Sequence, residues 1–124
     1  MNFIWYGMEA DRAKKISVVF YRTTSGTEVV REWLQSLDAP DRQAVGLDLM
    51  RVQYRWPVGM PLCRPLKNGL WEVRTNLPSN KIARVLFCVY QERTLVLSGF
   101  IKKTQKTPDD ELDLARRRMR EFLD

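Results

Sequence analysis

Three lysines stand close together near the end of the chain, where an apolar run gives way to a helical pattern. The stretch GFIKKTQKTP (99–108) contains Lys102, Lys103 and Lys106, and it contains no acidic residue. Ammonium groups this close repel each other unless an anion neutralises them. The cluster therefore indicates a site for a polyanion. The formal net charge of the whole chain, +6, favours nucleic acid as that polyanion.

Two arginines and a glutamate lie on strand patterns upstream of the lysines. In the stretch LWEVRT, Glu72 and Arg74 alternate with apolar residues, so both point to one face of a strand. Arg84 interrupts the apolar stretch KIARVLFCVY and points away from that strand's apolar face. If the strands pair as neighbours, Arg74, Arg84 and a lysine of the cluster converge on one sheet face. Such a face suits cationic chemistry on a phosphate.

Each of these charged residues can also have an ordinary structural role without taking part in a functional site. Arg84 can serve as an ion-pair partner of Glu72, and Arg74 as a solvated charge at a sheet edge. Glu72 is interpreted as an orienting partner rather than as a catalytic base. The lysine cluster can also be an ordinary exposed loop. A solvated helix face is the interpretation for Arg116, Arg117, Arg118 and Arg120.

The residue types exclude several kinds of site. The chain has no histidine, which excludes a histidine-based triad, a histidine general base and a histidine-containing zinc site. Cys63 and Cys88 are too few for a four-cysteine zinc site or a disulfide scaffold, and they favour a reducing compartment. No phosphate-binding glycine loop or nucleophile elbow occurs. These missing motifs favour a site with no metal and no cofactor. We expect a cytoplasmic protein, because no signal peptide or membrane-spanning apolar stretch is present.

The first half of the chain predicts a strand followed by two helices. ISVVFYR is rich in β-branched and aromatic residues, which favours a strand. Ser25 and Glu28 form a capping box for a helix that runs to about Leu37. Pro40 suits the first turn of a second helix, which Pro57 ends. The short connection between the two favours an antiparallel helical hairpin.

The second half predicts strands and a final helix. LCRPL is read as an edge strand because of Pro65, and Asn68-Gly69 is a strong hairpin turn signal. Thr107 is a candidate cap of the last helix, with Pro108 at its first position and Asp110 completing the capping box. The strands between them are predicted over 70–75, 81–90 and 94–101.

These elements predict an α+β fold in a single domain. We expect one twisted, mainly antiparallel sheet with an N-terminal helical hairpin and a C-terminal helix. One face of the sheet should stay open, since three helices are too few to cover both. The regular pattern begins near Ile16, so residues 1–15 are interpreted as an N-terminal extension and 16–124 as the domain.

Three motifs resemble the HigB-type branch of the RelE/ParE toxin superfamily, including its phage-derived relatives. They are LKNGLWEVR, ARVLF and SGFIKKTQKTP, and the similarity follows the element order over roughly 16–123. The resemblance implies the RelE-like microbial ribonuclease fold and the toxin half of a type II toxin–antitoxin pair. Such toxins cleave mRNA on the translating ribosome without a metal and leave a 2′,3′-cyclic phosphate. The implied partners are mRNA, the ribosome and a cognate antitoxin, often a helix-turn-helix protein, with no membrane involved.

The resemblance also implies catalytic roles. Arg74 matches a basic sheet position that faces RNA, and Arg84 matches the strand arginine that contacts phosphate. Lys102 and Lys103 match a basic pair at the end of the last strand. Either lysine would exchange a proton with the ribose 2′-OH or the leaving 5′-oxygen, and Glu72 is the alternative base.

A second set of residues is assigned to RNA binding: Arg64, Lys67, Gln105 and Lys106. Some relatives use a histidine or tyrosine in proton transfer, whereas this chain has no histidine and no tyrosine after Tyr90. The general acid and base therefore stay open. So does the alternative of a non-catalytic RNA-binding protein, or a phage-derived regulatory or interaction protein, on the same fold.

Overall fold

The computed structural model describes residues 16–123 of the chain. The predicted N-terminal extension lies outside the described residues. The elements follow the expected order of strand, two helices, four strands and helix, and the α+β class is confirmed. Their bounds are β1 Ser17–Phe20, α1 Val29–Ser36, α2 Ala39–Arg55, β2 Cys63–Pro65, β3 Trp71–Asn76, β4 Ile82–Tyr90, β5 Arg93–Ile101 and α3 Asp109–Leu123.

The described strands form one sheet in the order β1-β5-β4-β3-β2. Strands β2 to β5 pair antiparallel with their neighbours, and β1 pairs parallel with β5. The sheet is therefore mainly antiparallel, as predicted. Pro65 lies on the edge strand β2, where its missing N–H leaves no ladder bond unmade.

Helices α1 and α2 cover the first face of the sheet. They are joined by Leu37 and Asp38, and α2 begins with a proline in its first turn, as predicted. Trp56 lies edge-on against Trp71 with ring centroids 4.9 Å apart, so the Trp71 ring packs against the core. The core beneath the helices includes Val30, Leu34, Val45, Leu49, Val73, Val85 and Phe87.

Helix α3 covers part of the second face. Ala115 is fully buried against Leu86, Leu95 and Leu97, and Leu112 packs beside them. The prediction of an open sheet face is wrong for the area under α3, because the apolar residues of this helix pack on β4 and β5. The same face continues past α3 to β3 and the start of β4, where it carries Glu72, Arg74 and Arg84 instead of apolar residues.

The start of α1 differs from the prediction. The helix begins at Val29, and no side chain caps it. The carboxylate of Glu28 instead accepts hydrogen bonds from Arg22 at 3.0 Å and from Arg31 at 2.6 Å. The Ser25 capping box is therefore wrong, because ion pairing with nearby arginines engages its acidic member.

Both cysteines are free and buried, and burial raises the pKa of each thiol to about 11. Both cysteines therefore serve as small packing residues of the core. Among the helices described between residues 16 and 123, none combines the length and apolar character needed to cross a membrane.

Candidate functional site

A buried carboxylate lies at the centre of the charged region. Glu72, in β3, is only 2% exposed. The hydroxyl of Thr107 donates to its Oε1 at 2.6 Å, and Nη2 of Arg64 donates to its Oε2 at 3.2 Å. Nη2 of Arg64 also donates to the Thr107 hydroxyl at 3.3 Å. Both carboxylate oxygens are engaged, so the geometry favours the orienting interpretation of Glu72 over that of a free base.

The second buried charge is Arg84, in β4, which is 1% exposed. Its Nη2 donates to the backbone carbonyl of Gln105 at 2.8 Å, and its Nε lies 3.7 Å from Oε2 of Glu72. Within the described part of the chain, Nε and Nη1 have no hydrogen-bond partner. Burial lowers the pKa of Arg84, the Glu72 charge opposes that shift, and Arg64 and Arg74 add to it. The guanidinium thus contacts one carboxylate and one carbonyl, and its Nε–H and Nη1–H groups remain available to a further acceptor.

Strand register explains why these charges meet. Arg64 pairs with Glu72 between β2 and β3, and Arg74 pairs with Arg84 between β3 and β4. Because paired residues share a face, all four lie on the second face of the sheet. Arg64 and Arg84 contact Glu72, and Arg74 lies beside Arg84. The single charge of Glu72 therefore compensates only one of these three arginines.

The lysine cluster forms an irregular segment over residues 102–107, between β5 and α3. The N–H of Lys102 continues the ladder to the carbonyl of Ile82 at 2.7 Å. The chain then passes over Arg84, which binds the Gln105 carbonyl, and reaches Glu72 through Thr107. Lys106 forms an exposed ion pair with Asp109 at 3.6 Å. This segment, called the 102–107 segment below, lies between Arg84 and solvent.

An open cleft of about 450 Å³ lies beside the 102–107 segment. It gathers all four residues that the sequence assigned to RNA binding, namely Arg64, Lys67, Gln105 and Lys106. The remaining lining residues are Pro65, Leu66, Thr107 and Leu112. We call it the Arg64 cleft; it combines cationic and apolar walls.

The predicted catalytic residues are not all brought to this cleft. Glu72 and Arg84 are buried and only contact residues that line it, whereas Arg74 lines a separate cleft of about 330 Å³. Lys103 lines another, of about 520 Å³, which Trp33 also lines. Lys102 is half-buried at the end of β5. A role for Lys102 or Lys103 in proton transfer stays a prediction.

Thr107 is a site residue that the sequence placed in a different role. Its hydroxyl was predicted to cap α3, but it donates to Glu72 instead. The Asp110 carboxylate accepts from the N–H of Glu111, the next residue, at 2.9 Å. The capping pattern was therefore wrong at this position. No local signal shows that a carboxylate on a strand 35 positions earlier would accept this bond.

Two arginines of α3 make backbone contacts that the sequence did not predict. Arg116 donates to the carbonyls of Leu66 at 2.8 Å and Lys67 at 3.2 Å, which fixes one wall of the Arg64 cleft. Arg118 is half-buried and donates to the carbonyl of Leu97 at 2.8 Å. The interpretation as a solvated face is wrong for these two. It agrees with the exposure of the neighbouring Arg117 and Arg120.

Comparison with known protein families gives one match. The model of the family described as "Phage derived protein Gp49-like (DUF891)" matches residues 32–120. This range covers most of the chain and includes every residue of the Glu72 network and of the Arg64 cleft. No curated protein matches the chain.

Proposed function

Because this chain belongs to the phage-derived Gp49-like family, which is related to the toxins of toxin–antitoxin systems, we propose that it is a toxin of that kind. Its proposed activity is cleavage of mRNA on the translating ribosome. The five-stranded sheet with three helices is compatible with a RelE-like fold. The observation that carries the proposal is the surplus of arginine charge around Glu72, next to a cleft lined by further cations.

The Arg64 cleft is the proposed binding site for the RNA backbone. The Arg64 side chain is 41% exposed although its Nη2 holds Glu72, so it can meet a phosphate from the cleft side. Lys67 and Lys106 are exposed on the same cleft. Guanidinium and ammonium groups bind phosphate by charge-assisted hydrogen bonds, and arginine does so with two parallel donors. The apolar wall, with Leu66 and Leu112, would contact sugar or base.

The proposed reaction is attack of a ribose 2′-OH on the adjacent phosphate, which expels the 5′-oxygen and leaves a 2′,3′-cyclic phosphate. The pentacoordinate transition state gains negative charge, and Arg64, Arg74 and Arg84 would stabilise it. Glu72 keeps Arg64 and Arg84 in place. Proton transfer is assigned to Lys102 or Lys103. Orientation of mRNA by the ribosome would supply the alignment that a site without histidine lacks.

A second candidate function is RNA binding without cleavage. It is favoured by the shielding of Arg84 and Glu72 from solvent and by the placement of Arg74 and Lys103 in other clefts. In this case the cations of the Arg64 cleft would hold RNA, and no group would activate the 2′-OH. The two candidates predict the same binding residues and differ only in the products.

The proposed partners follow from the first candidate. They are mRNA, the ribosome and a cognate antitoxin, which would be a small helix-turn-helix protein encoded next to this chain. The proposed compartment is the cytoplasm, where mRNA is translated.

The test is induced expression of the full chain in a bacterial host, with growth and mRNA 5′ ends followed over time. We expect growth arrest and new 5′ ends within translated regions. Arg64→Ala should reduce cleavage at least about tenfold, because a hydrogen bond to a charged group contributes roughly 1.5–3 kcal/mol. The matched control is Arg55→Ala, which removes an exposed arginine from α2 on the opposite face of the sheet.

The outcomes separate the candidates. Unchanged growth and intact mRNA would contradict the toxin assignment. Growth arrest with intact mRNA that co-purifies with the chain would favour binding without cleavage. Equal losses in the Arg64 and Arg55 variants would show that the Arg64 cleft is not the site.

A further inference from the structure

The 102–107 segment is hydrogen-bonded to the sheet at its two ends and at one residue between them. The Lys102 N–H bonds to Ile82 at one end, and the Thr107 hydroxyl bonds to Glu72 at the other. In between, the carbonyl of Gln105 accepts the hydrogen bond of Arg84. Residues 103–106 are all exposed and belong to no helix or strand. Little burial therefore opposes movement of this segment away from Arg84.

The Gln105 carbonyl occupies the Nη2 donor of Arg84 that would otherwise be free to bind a phosphate oxygen. A carbonyl accepts from one N–H group of the guanidinium. A phosphate can present two oxygens, one to each terminal nitrogen of the arginine. Nη1 and Nε of Arg84 are buried without a hydrogen-bond partner in the region that the structure describes. Buried donors left unpaired are costly, so this arrangement favours replacement of the carbonyl by an anion with more acceptors.

We propose that the 102–107 segment is a cover over Arg84, which the Thr107–Glu72 hydrogen bond latches shut and which the phosphate groups of RNA displace. The identity of the displacing ligand rests on the proposed function; the cover itself does not. The exposed lysines of the segment meet the polyanion first. Their attraction to its phosphates then pulls the carbonyl of Gln105 away from the guanidinium.

The cover predicts that loss of the Thr107–Glu72 hydrogen bond tightens ligand binding, whereas a role of Thr107 in merely positioning Glu72 predicts weaker binding. A ligand that binds only the open form has its affinity reduced by the fraction of molecules that are open. Breaking the latch raises that fraction, so it should tighten binding of the ligand. If Thr107 only held Glu72 and its arginines in place, breaking the same bond would weaken binding instead.

The decisive variant is Thr107→Val, which keeps the shape of the side chain and removes the donor to Glu72. Thr104→Val is the matched control, because the Thr104 hydroxyl donates at 2.6 Å to the carbonyl of Lys106 within the segment itself. Thr107→Ser keeps the latch and should behave as wild type. Thr107→Ala, which leaves room for a water to bond to Glu72, is the second variant should the valine protein not fold by circular dichroism.

The first measurement is the rate at which phenylglyoxal modifies Arg84 in the full chain without RNA, read by mass spectrometry against exposed Arg117. We expect slow modification in wild type and in the Thr104 variant. In Thr107→Val the rate should rise about tenfold, the factor expected for the loss of one hydrogen bond to a charged group. An unchanged rate in Thr107→Val and Thr107→Ala would overturn the latch.

The second measurement is the dissociation constant of a short single-stranded 2′-deoxy oligonucleotide, which lacks the attacking hydroxyl. Thr107→Val should bind it up to about tenfold more tightly than wild type. Weaker binding, or no binding by either protein, would overturn displacement by phosphate groups. The modification rate involves no RNA, so absence of mRNA cleavage in cells would contradict the proposed toxin and leave the latch standing.

Discussion

Removing the charge of Glu72 without changing its shape is the sharpest test of the buried network. In Glu72→Gln, Arg64 loses its acceptor Oε2, and the amide keeps one oxygen, which can still accept from Thr107. Its NH₂ group would replace the oxygen that now faces Nε of Arg84 at 3.7 Å. Arg84 would then stay buried without a counter-ion beside it. We therefore expect a large loss of stability from a change of one atom.

The magnitude follows from the geometry. Breaking a buried ion pair by removing one partner costs about 3–5 kcal/mol. The Arg84 contact is a long one, and Arg64 can turn to solvent, so we expect Glu72→Gln to lower the free energy of unfolding by about 2–3 kcal/mol. For a domain of about 100 residues this corresponds to a fall in Tm of about 10 °C.

The assay is urea unfolding followed by tryptophan fluorescence, with the double variant Glu72→Gln/Arg84→Met as part of a mutant cycle. Replacing both charges should restore most of the loss, because an apolar side chain needs no counter-ion. Glu28→Gln is the matched control: its arginine partners are exposed, so its urea midpoint should move little. A Glu72→Gln protein as stable as wild type, or a cycle with no coupling, would refute the idea that this pair stabilises the site.

Three further predictions concern packing and pH. Gly99→Ala should lower the free energy of unfolding by about 1–3 kcal/mol, because the added Cβ would lie 2.6 Å from Cζ3 of Trp33. Gly46→Ala, in α2 with no atom within 4 Å of an added Cβ, should raise it by about 0.5–1 kcal/mol, and urea unfolding checks both signs. The hydrogen bond to Glu121, followed by burial, raises the pKa of Tyr21 above its ordinary value of 10.0. The stability that Tyr21 adds over Tyr21→Phe should therefore be complete below pH 10 and be lost as pH rises through the folded pKa; equal stabilities at neutral pH would contradict this.

The sequence predicted the sheet and the meeting of Arg74 with Arg84 because both depend on a local pattern. Side chains alternate along every strand, so the apolar residues of LWEVRT reveal the face that its charged residues must take. The Asn68-Gly69 turn then fixes which strand lies beside which. Parallel pairing of β1 with β5 has no such local signal, since it joins strands at opposite ends of the domain.

The contacts that complete the site were not predictable in the same way. Thr107 in front of Pro108 has the composition of a helix cap, and only the folded chain shows that Glu72 competes for its hydroxyl. Arg116 lies 50 residues from the carbonyl of Leu66 that it binds. Each of these bonds joins groups that are close only after the sheet and α3 have packed, so no spacing in the sequence reveals them.

Burial divides the cations of this face into two groups that composition alone treats as one. The lysines of the 102–107 segment are mostly exposed, so salt screens them over about 8–10 Å, and they would attract the proposed polyanion before contact is made. Arg84 lies beneath the same segment, shielded from water, where each interaction with an anion is stronger but access must first be opened. In the proposed function, the six residues of the 102–107 segment thus supply both the attraction for a phosphate chain and the barrier in front of the arginine that would bind it. Because the carbonyl of Gln105 forms this barrier, its strength depends on the path of the backbone, which Thr107 fixes, and not on the charge of the lysines.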